Sequence, residues 1–512
     1  MVWRGYFAES KLPEKVVLFD TTLRDGEQTP GVALTPEDKL KIARQLDMLG
    51  VPVMEAGFPV TSPGEEEAVK RIVREGLKAE IAALARSSKQ DIEKVASTGA
   101  QRIHLFIATS DIHLSKKLKI SREEAIKKAV EAIDLAKSYG MKIEFSAEDA
   151  TRTNLDFLIE FYKTVEEAGA NIVDIPDTVG MATPFAMREI VRRVREALRI
   201  PIAVHCHNDM GLAVANTLAG IEGGATEAHV TVNGLGERAG NASLEEVAVS
   251  LKVLYGVETG INFKEIYNTS RMVSSITGIT IPVNKPIVGE NAFSHESGIH
   301  THGVISSPET YEPIDPEFVG SKRRIIAGKH AGIHGVSAQL AEMGYRPTEE
   351  ELKKIVKIVK EMGDQGKKVT DAELASIAES VMGYGISEKE RIELEELMVV
   401  TGLNITPTAA IKIKWGDQSW RGAEFGVGPI DASIKAVGKL LGDLIKIKLE
   451  SFRLEAITGG TEAFAEVTVR VSDEEGRSVT AKGFSKDIVL AGVYAILNGA
   501  NRLIQIRKAR AK

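Results

Sequence analysis

The stretch Pro201-Ile-Ala-Val-His-Cys-His-Asn-Asp209 has the pattern of a short apolar strand that ends in two histidines. Side chains alternate along a strand, so His205 and His207 point to one side and Cys206 points to the other. Two imidazoles at the end of a buried strand are costly unless a partner uses their nitrogens. A divalent metal ion is one such partner, and a solvated strand end is the alternative. The rest of the chain has to distinguish between the two.

A short apolar run, a polar loop and an amphipathic helix recur in this order along the first half of the chain. Strand-like runs lie at residues 16–19, 53–55, 80–84, 102–107, 142–145, 172–175, 202–204 and 227–232. Helix patterns between them include 36–49, 121–139, 155–168, 184–198 and 243–255, with Ser121 and Ser243 as expected N-caps. This repeat predicts an α/β fold, a (β/α)8 TIM barrel. An open doubly wound sheet is the alternative, but no Gly-x-Gly-x-x-Gly first turn is present, which favours closure.

Polar residues follow nearly every one of these strands. In a barrel, the loops after the strands form one rim, and chemistry is concentrated there. The groups that fall on this rim include Asp20–Gln28, Glu55, His104, Glu148, Asp174–Thr178, the two histidines and Asn233–Asn241. Two histidines with a carboxylate suit a divalent metal with open positions, whereas a cysteine-rich set would suggest structural zinc.

Two features of this rim allow more than one interpretation. A metal that chelates a 2-oxo acid polarises its carbonyl group, and a nearby guanidinium such as Arg24 stabilises the oxyanion that forms. A structural ion pair between Arg24 and Asp25 is the alternative, and taken alone it is the commoner arrangement. Glu148 is either a buried acid or base, or a charge at a helix N-terminus.

The composition restricts the class of protein. A chain of 512 residues predicts two or three domains. A net charge of −7 without basic blocks argues against nucleic acid and against a membrane surface as partners. The single cysteine, Cys206, excludes an intramolecular disulfide and fits a reducing compartment. The start lacks a signal-peptide pattern, and apolar runs stay well short of a membrane span. We therefore predict a cytoplasmic protein.

Four motifs carry a resemblance to a known family. They are Asp20-Thr-Thr-Leu-Arg-Asp-Gly-Glu-Gln28, His205-Cys-His-Asn-Asp209, Gly234-Leu-Gly-Glu-Arg-Ala-Gly-Asn241 and Ala292-Phe-Ser-His-Glu-Ser-Gly-Ile-His300. In these motifs, and in their order, the chain resembles the 2-isopropylmalate synthase group of Claisen-condensing enzymes, which also includes citramalate and homocitrate synthases. The resemblance covers essentially the whole chain.

The resemblance implies condensation of acetyl-CoA with a 2-oxo acid, followed by thioester hydrolysis that releases CoA. It also implies a divalent metal ion (Mg²⁺, Mn²⁺ or Zn²⁺), and K⁺ is a candidate activator. The metal ligands that it implies are Asp25, His205, His207 and Asn241.

The resemblance further implies roles for individual residues. Arg24 would bind and polarise the keto oxygen, and Thr178 would bind the substrate carboxylate. Gln28, His104 and Ser146 would complete the substrate site. Glu148 matches an active-site glutamate, His300 a histidine that helps to take a proton from the acetyl methyl group, and Tyr311 a tyrosine near acetyl-CoA.

Two positions address the choice of 2-oxo acid, both through the family comparison. Ser146 is small where citramalate synthases can carry bulkier groups, and His104 matches the isopropylmalate version. One methylene in an apolar pocket discriminates by only about 1–3 kcal/mol, so a few side chains can change the substrate. These residues favour 2-oxoisovalerate, which gives 2-isopropylmalate. Citramalate synthesis from pyruvate is the alternative.

We expect three domains: a catalytic barrel over 1–285, a helical linker over 286–394 that contributes to the acetyl-CoA site, and a regulatory domain over 395–512. Strand patterns in the last segment alternate with two helices and predict an α+β domain of two βββα units. This region resembles the leucine-binding domain of the family, and the resemblance implies a homodimer. The regulatory residues that it implies are Gly428, Pro429, Ile430, Asp431 and Ala432, although turn glycines and helix caps would give the same pattern.

Two other function classes stay open at this point. A metal-dependent lyase would use the same barrel to cleave a 3-hydroxyacyl-CoA, but a regulatory domain fits a committed biosynthetic step better. A non-catalytic leucine sensor would be expected to lack one of Asp25, His205 and His207, and all three are present.

Overall fold

The structure of the protein is a computed structural model. It describes residues 12–326, 331–364, 369–382, 391–442, 444–456, 465–485 and 487–511. The chain forms two compact units. The residues up to Phe293, together with Pro313–Arg323, form the first unit, and Ser294–Glu312 with the chain from Arg324 onward forms the second.

The first unit is built on a closed barrel of parallel strands. The strands are β1 (Val17–Asp20), β2 (Val53–Glu55), β3 (Glu80–Arg86), β4 (Arg102–Ala108), β5 (Lys142–Glu148), β6 (Ile172–Asp177), β7 (Ile202–Cys206) and β8 (Glu227–Val230). Each strand pairs with the next, and β8 pairs with β1 in the register Val17 to Glu227. The predicted TIM barrel is confirmed, and the open sheet is excluded.

Helices alternate with these strands. They are α1 (Pro36–Leu49), α2 (Pro63–Arg74), α3 (Lys89–Ala96), α4 (Asp111–His113), α5 (Arg122–Ser138), α6 (Leu155–Ala168), α7 (Pro184–Ala197), α8 (Ala213–Glu222), α9 (Leu244–Ser250) and α10 (Ile266–Thr277). One turn of π-helix, Leu114–Leu118, follows α4, and another, Leu251–Tyr255, follows α9.

Local capping interactions explain why the sequence patterns predicted the helix ends well. Thr35 and Asp38 form a reciprocal capping box at the start of α1, and Gly50 ends the helix at a φ of 85°. Ser121 caps α5 by accepting a hydrogen bond from the N–H of Glu124. The expected cap at Ser243 is only partly right, because its hydroxyl makes no cap hydrogen bond and instead accepts from Lys285 Nζ at 2.8 Å.

The apolar core of the first unit lies between the strands and the helices. Residues such as Leu18, Ile103 and Val173 are fully buried there. Because side chains alternate along each strand, the strand residues next to these core residues point into the barrel. That inner face carries the polar groups from which the candidate site is built.

The second unit begins with short helices and a two-stranded parallel sheet. The strands are β9 (Ser294–His295) and β10 (Arg324–Ile325), and the helices are α11 (Gly298–Ser306), α12 (Ile333–Glu342), α13 (Glu349–Asp364) and α14 (Asp371–Val381). An apolar cluster that includes Val336, Ile355 and Leu374 joins α12, α13 and α14.

The remainder of the second unit repeats one motif twice. The elements are β11 (Ile392–Gly402), β12 (Ile405–Trp415), β13 (Gln418–Phe425), α15 (Pro429–Leu441), β14 (Ile447–Ala456), β15 (Ala465–Asp473), β16 (Ser478–Ser485) and α16 (Ile488–Ala511). Each set of three strands forms an antiparallel sheet, and one apolar core includes residues of both sheets and both helices. The two predicted βββα units are confirmed.

Helix α16 contains the one stretch in the described part of the chain that is long and apolar enough to cross a membrane, Ile488–Lys508. More than half of this stretch is buried inside the protein. Ala495, Ile496 and Leu503 belong to the core that α16 shares with β15 and β16. These contacts identify α16 as a core helix.

Candidate active site at the carboxyl end of the barrel

A cavity of about 360 Å³ opens where the barrel strands end. Its lining includes nine residues that the sequence predicted for the site: Arg24, Asp25, Gln28, His104, Ser146, Glu148, Thr178, His205 and His207. The strands and the loops after them supply these side chains, because parallel strands in a barrel all end at the same rim. The barrel thus brings together side chains that are up to 183 residues apart in the sequence.

Asp25, His205 and His207 offer ligand atoms that all lie within 4.8 Å of one another. His205 Nε2 lies 3.2 Å from His207 Nε2 and 3.7 Å from Asp25 Oδ2. Asn241 Nδ2 donates to Asp25 Oδ1 at 2.9 Å, and the buried Oδ1 of Asn241 has no hydrogen-bond partner among the described residues. Two imidazoles, a carboxylate and an unused amide oxygen fit a divalent cation of borderline hardness.

The electrostatics of these groups also fit a cation. Burial, reinforced by His207, lowers the pKa of His205 well below its ordinary value, and burial lowers the pKa of His207. Both rings are therefore neutral near pH 7, as metal ligation requires. Burial alone would raise the pKa of Asp25, but the Arg24 guanidinium and the hydrogen bond from Asn241 hold it well below its ordinary value. Asp25 is therefore ionised.

Arg24 is held by two carboxylates at the edge of the cavity. Its Nη1 donates to Asp25 Oδ2 and its Nε donates to Glu55 Oε2, each at 2.5 Å. Arg24 and Asp25 thus form an ion pair and also line the cavity. The role of Arg24 toward an oxyanion stays a prediction. A guanidinium fixed from two sides is preorganised to bind an anionic oxygen.

A chain of close polar contacts crosses the cavity from Arg24. Glu55 Oε1 lies 2.7 Å from His104 Nδ1, and His104 Nε2 lies 2.6 Å from Ser146 Oγ. Ser146 Oγ lies 2.6 Å from Asp174 Oδ2. The four residues from Glu55 to Asp174 are at most 5% exposed. This series of contacts connects His104 and Ser146, the two residues on which the substrate prediction rests.

Glu148 ends β5 and is partly exposed at the cavity. Lys117 Nζ, from the π-helical turn after α4, donates to Glu148 Oε1 at 2.6 Å, and His113 Nδ1 lies 3.6 Å from the same oxygen. The next residue, Asp149, donates its N–H to Thr178 Oγ1 at 2.9 Å. Glu148 is therefore an ion-paired carboxylate at the cavity, and it directly precedes Asp149, the N-cap residue of a single 3-10 turn at Ala150–Arg152. Its role as an acid or base stays a prediction.

His300 and Tyr311 belong to the second unit. Their rings lie 4.3 Å apart between centroids, with 39° between the ring planes. The proposed regulatory residues are also in this unit, where Gly428 precedes α15 and Pro429, Ile430, Asp431 and Ala432 form its first turn. Asp431 accepts a hydrogen bond from the N–H of Val427 and pairs with Lys435 at 2.8 Å. The roles of these residues toward acetyl-CoA and leucine stay predictions.

A cluster of charged residues inside the barrel was missed by the sequence analysis. Arg102 Nη1 donates to Glu227 Oε1 at 2.6 Å and to Glu144 Oε2 at 3.1 Å, and Nη2 donates to Glu80 Oε2 at 2.9 Å. His229 Nε2 lies 2.7 Å from Glu144 Oε1. Strand alternation could have revealed them, because Arg102, Glu144 and Glu227 each lie two residues before an inward-facing polar residue of the same strand.

Glu144, Glu227 and His229 could by spacing also hold a metal ion. The guanidinium of Arg102 already lies between the two carboxylates. Glu144, Glu227 and His229 therefore belong to an internal ion-pair network. Asp25, His205 and His207 form the candidate metal site.

Comparison with known families divides the chain into three matched segments. Residues 15–273, about half of the chain, match the HMGL-like family. Residues 287–367 match the homocitrate synthase post-HMGL domain-like family, and residues 368–504 match the LeuA allosteric (dimerisation) domain.

Curated relatives match over nearly the full length. A probable 2-isopropylmalate synthase of Methanopyrus kandleri is 53% identical over 97% of this chain and 100% of its own. In Methanocaldococcus jannaschii, a 2-isopropylmalate synthase is 51% identical over 97% of this chain and 96% of its own. An (R)-citramalate synthase of the same organism is 48% identical over 96% of this chain and 99% of its own.

These matches agree with the barrel of the first unit and with the antiparallel sheets of the second unit. The chain belongs to the family of 2-isopropylmalate, citramalate and homocitrate synthases, acyltransferases that condense acetyl-CoA with a 2-oxo acid.

Proposed function

We propose that the protein is a 2-isopropylmalate synthase that condenses acetyl-CoA with 2-oxoisovalerate and releases CoA, the first committed step of leucine biosynthesis. The observation that carries the choice of substrate is the contact between His104 Nε2 and Ser146 Oγ in the cavity wall. A small hydroxyl side chain at position 146 leaves room for the isopropyl group of the substrate.

In this proposal, Asp25, His205, His207 and Asn241 hold a divalent metal ion. When bound, such an ion supplies Lewis-acid polarisation of the keto group. Arg24 donates to the keto oxygen and stabilises its negative charge as the new carbon–carbon bond forms. Thr178 binds the substrate carboxylate, and Gln28 lies at the same cavity.

The remaining steps need proton transfer. A base removes a proton from the acetyl methyl group, and water then cleaves the thioester to release free CoA. We assign these transfers to Glu148 and His300, with Tyr311 beside acetyl-CoA. Support for this assignment comes from the place of Glu148 on the cavity and from the ring contact between His300 and Tyr311.

We further propose that residues 286–394 contribute to the acetyl-CoA site and that residues 395–512 form a regulatory domain that binds leucine in a homodimer. The match of residues 368–504 to an allosteric dimerisation domain supports the second part. A cytoplasmic location and activation by K⁺ stay predictions of the sequence.

Citramalate synthesis from pyruvate is the second candidate. It is favoured by the 48% identity to the (R)-citramalate synthase of Methanocaldococcus jannaschii, which is nearly as high as the 51% identity to that organism's 2-isopropylmalate synthase.

The deciding experiment measures acetyl-CoA-dependent release of free CoA thiol. Saturation curves for 2-oxoisovalerate, pyruvate and 2-oxoglutarate are recorded side by side with Mg²⁺, Mn²⁺ or Zn²⁺. We expect kcat/KM to be highest for 2-oxoisovalerate. A higher kcat/KM for pyruvate would refute the proposed substrate and support citramalate synthesis.

A further inference from the structure

The hydroxyl of Ser146 lies between two buried groups and can donate to only one of them. His104 Nε2 and Asp174 Oδ2 are each 2.6 Å from Ser146 Oγ. A serine hydroxyl has one proton and two lone pairs. If it donates to Asp174, it must accept from a protonated His104 Nε2. If it donates to His104, it must accept from a protonated Asp174.

The other nitrogen of His104 helps to decide between these arrangements. Its Nδ1 lies 2.7 Å from Glu55 Oε1, and Glu55 also accepts from Arg24 Nε at 2.5 Å. Burial alone would raise the pKa of Glu55, but Arg24 and His104 bring it below its ordinary value. Glu55 is therefore ionised, and His104 Nδ1 carries the proton that it donates to Glu55.

An ionised Asp174 would then require a doubly protonated His104 beside it. It would also leave a carboxylate oxygen without a donor, because the buried Oδ1 of Asp174 has no hydrogen-bond partner among the described residues. A buried carboxylate held by a single hydrogen bond is costly. A neutral carboxylic acid avoids both costs, since its hydroxyl donates to Ser146 and only a carbonyl-type oxygen stays unpaired.

We propose that Asp174 is a neutral carboxylic acid that positions Ser146, donating its proton to Ser146 Oγ so that the serine hydroxyl donates to His104 Nε2. Hydrogen bonds then run in one direction from Asp174 through Ser146 and His104 to Glu55.

Charges of both signs face Asp174. Burial raises its pKa and Glu144 adds to the rise, whereas His229, His104 and the Ser146 hydroxyl oppose it. Asp174 and Glu144 raise the pKa of His229 to about 9 against the effect of burial, so His229 is the main opposing charge, and on balance the pKa of Asp174 stays above its ordinary value. Tyr162 makes its hydrogen bond to the backbone carbonyl of Asp174, so it supplies no donor to the carboxyl group.

This arrangement has a consequence for the substrate, which rests on the proposed function. The only proton of the Ser146 hydroxyl is committed to His104, so this part of the cavity wall offers no free donor to a ligand. Such a wall suits an alkyl branch, as in a branched-chain 2-oxo acid, and does not pair with a second carboxylate. Asp174 is thus a specificity-determining residue that acts through Ser146.

The test compares Asp174→Asn with Asp174→Ala in the full chain with its divalent metal. Asn can donate from Nδ2 to Ser146 Oγ as the acid does, whereas Ala cannot. With the 2-oxo acid that the wild type prefers, we expect Asp174→Ala to lower kcat/KM by about tenfold or more, mainly through KM, and Asp174→Asn to restore most of the loss. In a Ser146→Ala background, the difference between the two substitutions should disappear.

Equal impairment by Asn and Ala would overturn the proposal, as would an undiminished difference in the Ser146→Ala background. The infrared difference spectrum between wild type and Asp174→Asn is a readout that needs no turnover. A carbonyl band of a protonated acid is expected, and its absence would refute the assignment. A preference for pyruvate in the wild type would refute only the proposed substrate, so the two failures are distinguishable.

Discussion

At the scale of single residues, the interior of the barrel is held by charge as well as by apolar packing. Arg102 is 1% exposed and pairs with three carboxylates, and His229 stacks on Phe19 with 4.2 Å between ring centroids. Buried ions are stable only while their partners are present. The cluster therefore makes the fold sensitive to single substitutions inside the barrel.

Substitution of Arg102 by Met should lower the free energy of unfolding by about 3–5 kcal/mol, because Glu144 and Glu227 lose their shared cation while buried. Denaturation in urea measures this change. Arg192→Met is the matched control, since the side chain of Arg192 is 48% exposed and its surface ion pairs should contribute far less to the free energy of unfolding. Similar losses in both variants would contradict a special role for the internal cluster.

A buried carboxyl group should make stability depend on pH. Burial raises the pKa of Asp20 to about 7. This group keeps a proton in the folded state that the unfolded chain loses near pH 4, so the free energy of unfolding should fall as the pH rises from about 5 to 7. Urea denaturation across this range should show a shallower fall for Asp20→Asn than for the wild type. Identical slopes would argue against a protonated Asp20.

At the scale of elements, the loops after the strands hold the candidate ligands in place. Gly236, in the loop after β8, lies against two of them. A Cβ at this position would overlap Asn241 Nδ2 and lie 3.0 Å from Asp25 Oδ1. The glycine is therefore needed for the close approach of the loop to the ligand set.

Substitution of Gly236 by Ala should weaken divalent-metal binding by about tenfold or more, because displaced ligands lose their geometry. Calorimetric titration of the full chain with Mn²⁺ measures the affinity. Gly64→Ala serves as the control, since a Cβ there would meet its nearest neighbour, Ser62 Oγ, at an ordinary 3.7 Å. Unchanged affinity in Gly236→Ala would contradict the assignment of Asp25 and Asn241 as ligands.

Elements were predictable from the sequence where local signals are strong. Capping by Thr35 and termination by Gly50 fixed α1, and polar residues at strand ends identified the rim. The pairing of Lys117 with Glu148 was not predictable, because it depends on a π-helical turn that has no clear sequence signal. The ion pairs of Arg102 were missed because an inward-facing charged residue resembles a surface residue until the barrel is closed. Asp174 was placed on the rim, but its contact with Ser146 depends on how the strands pair.

At the scale of the whole molecule, the first unit carries the candidate site and the second carries the proposed response to leucine. In the second unit, Gly426 is closely packed against the start of α15. A Cβ on Gly426 would come within 2.5 Å of both Ala432 N and Asp431 Oδ2. Substitution there would therefore shift the first turn of α15.

Gly426→Ala should raise the leucine concentration needed for half-inhibition while the enzyme still turns over, because the displaced turn contains the proposed regulatory residues. Release of CoA thiol at increasing leucine concentrations measures the response. Gly438→Ala, in the same helix with nothing within 4 Å of the added Cβ, should respond as the wild type does. Unaltered inhibition in Gly426→Ala would place the leucine site elsewhere.

The charged interior of the barrel also determines how the fold responds to heat. Hydration of ions becomes less favourable as temperature rises, so the cost of burying Arg102 among its carboxylates decreases. Apolar packing gains no comparable advantage on heating. The part of the molecule that supports the candidate site should thus weaken less on warming than one held by apolar contacts alone.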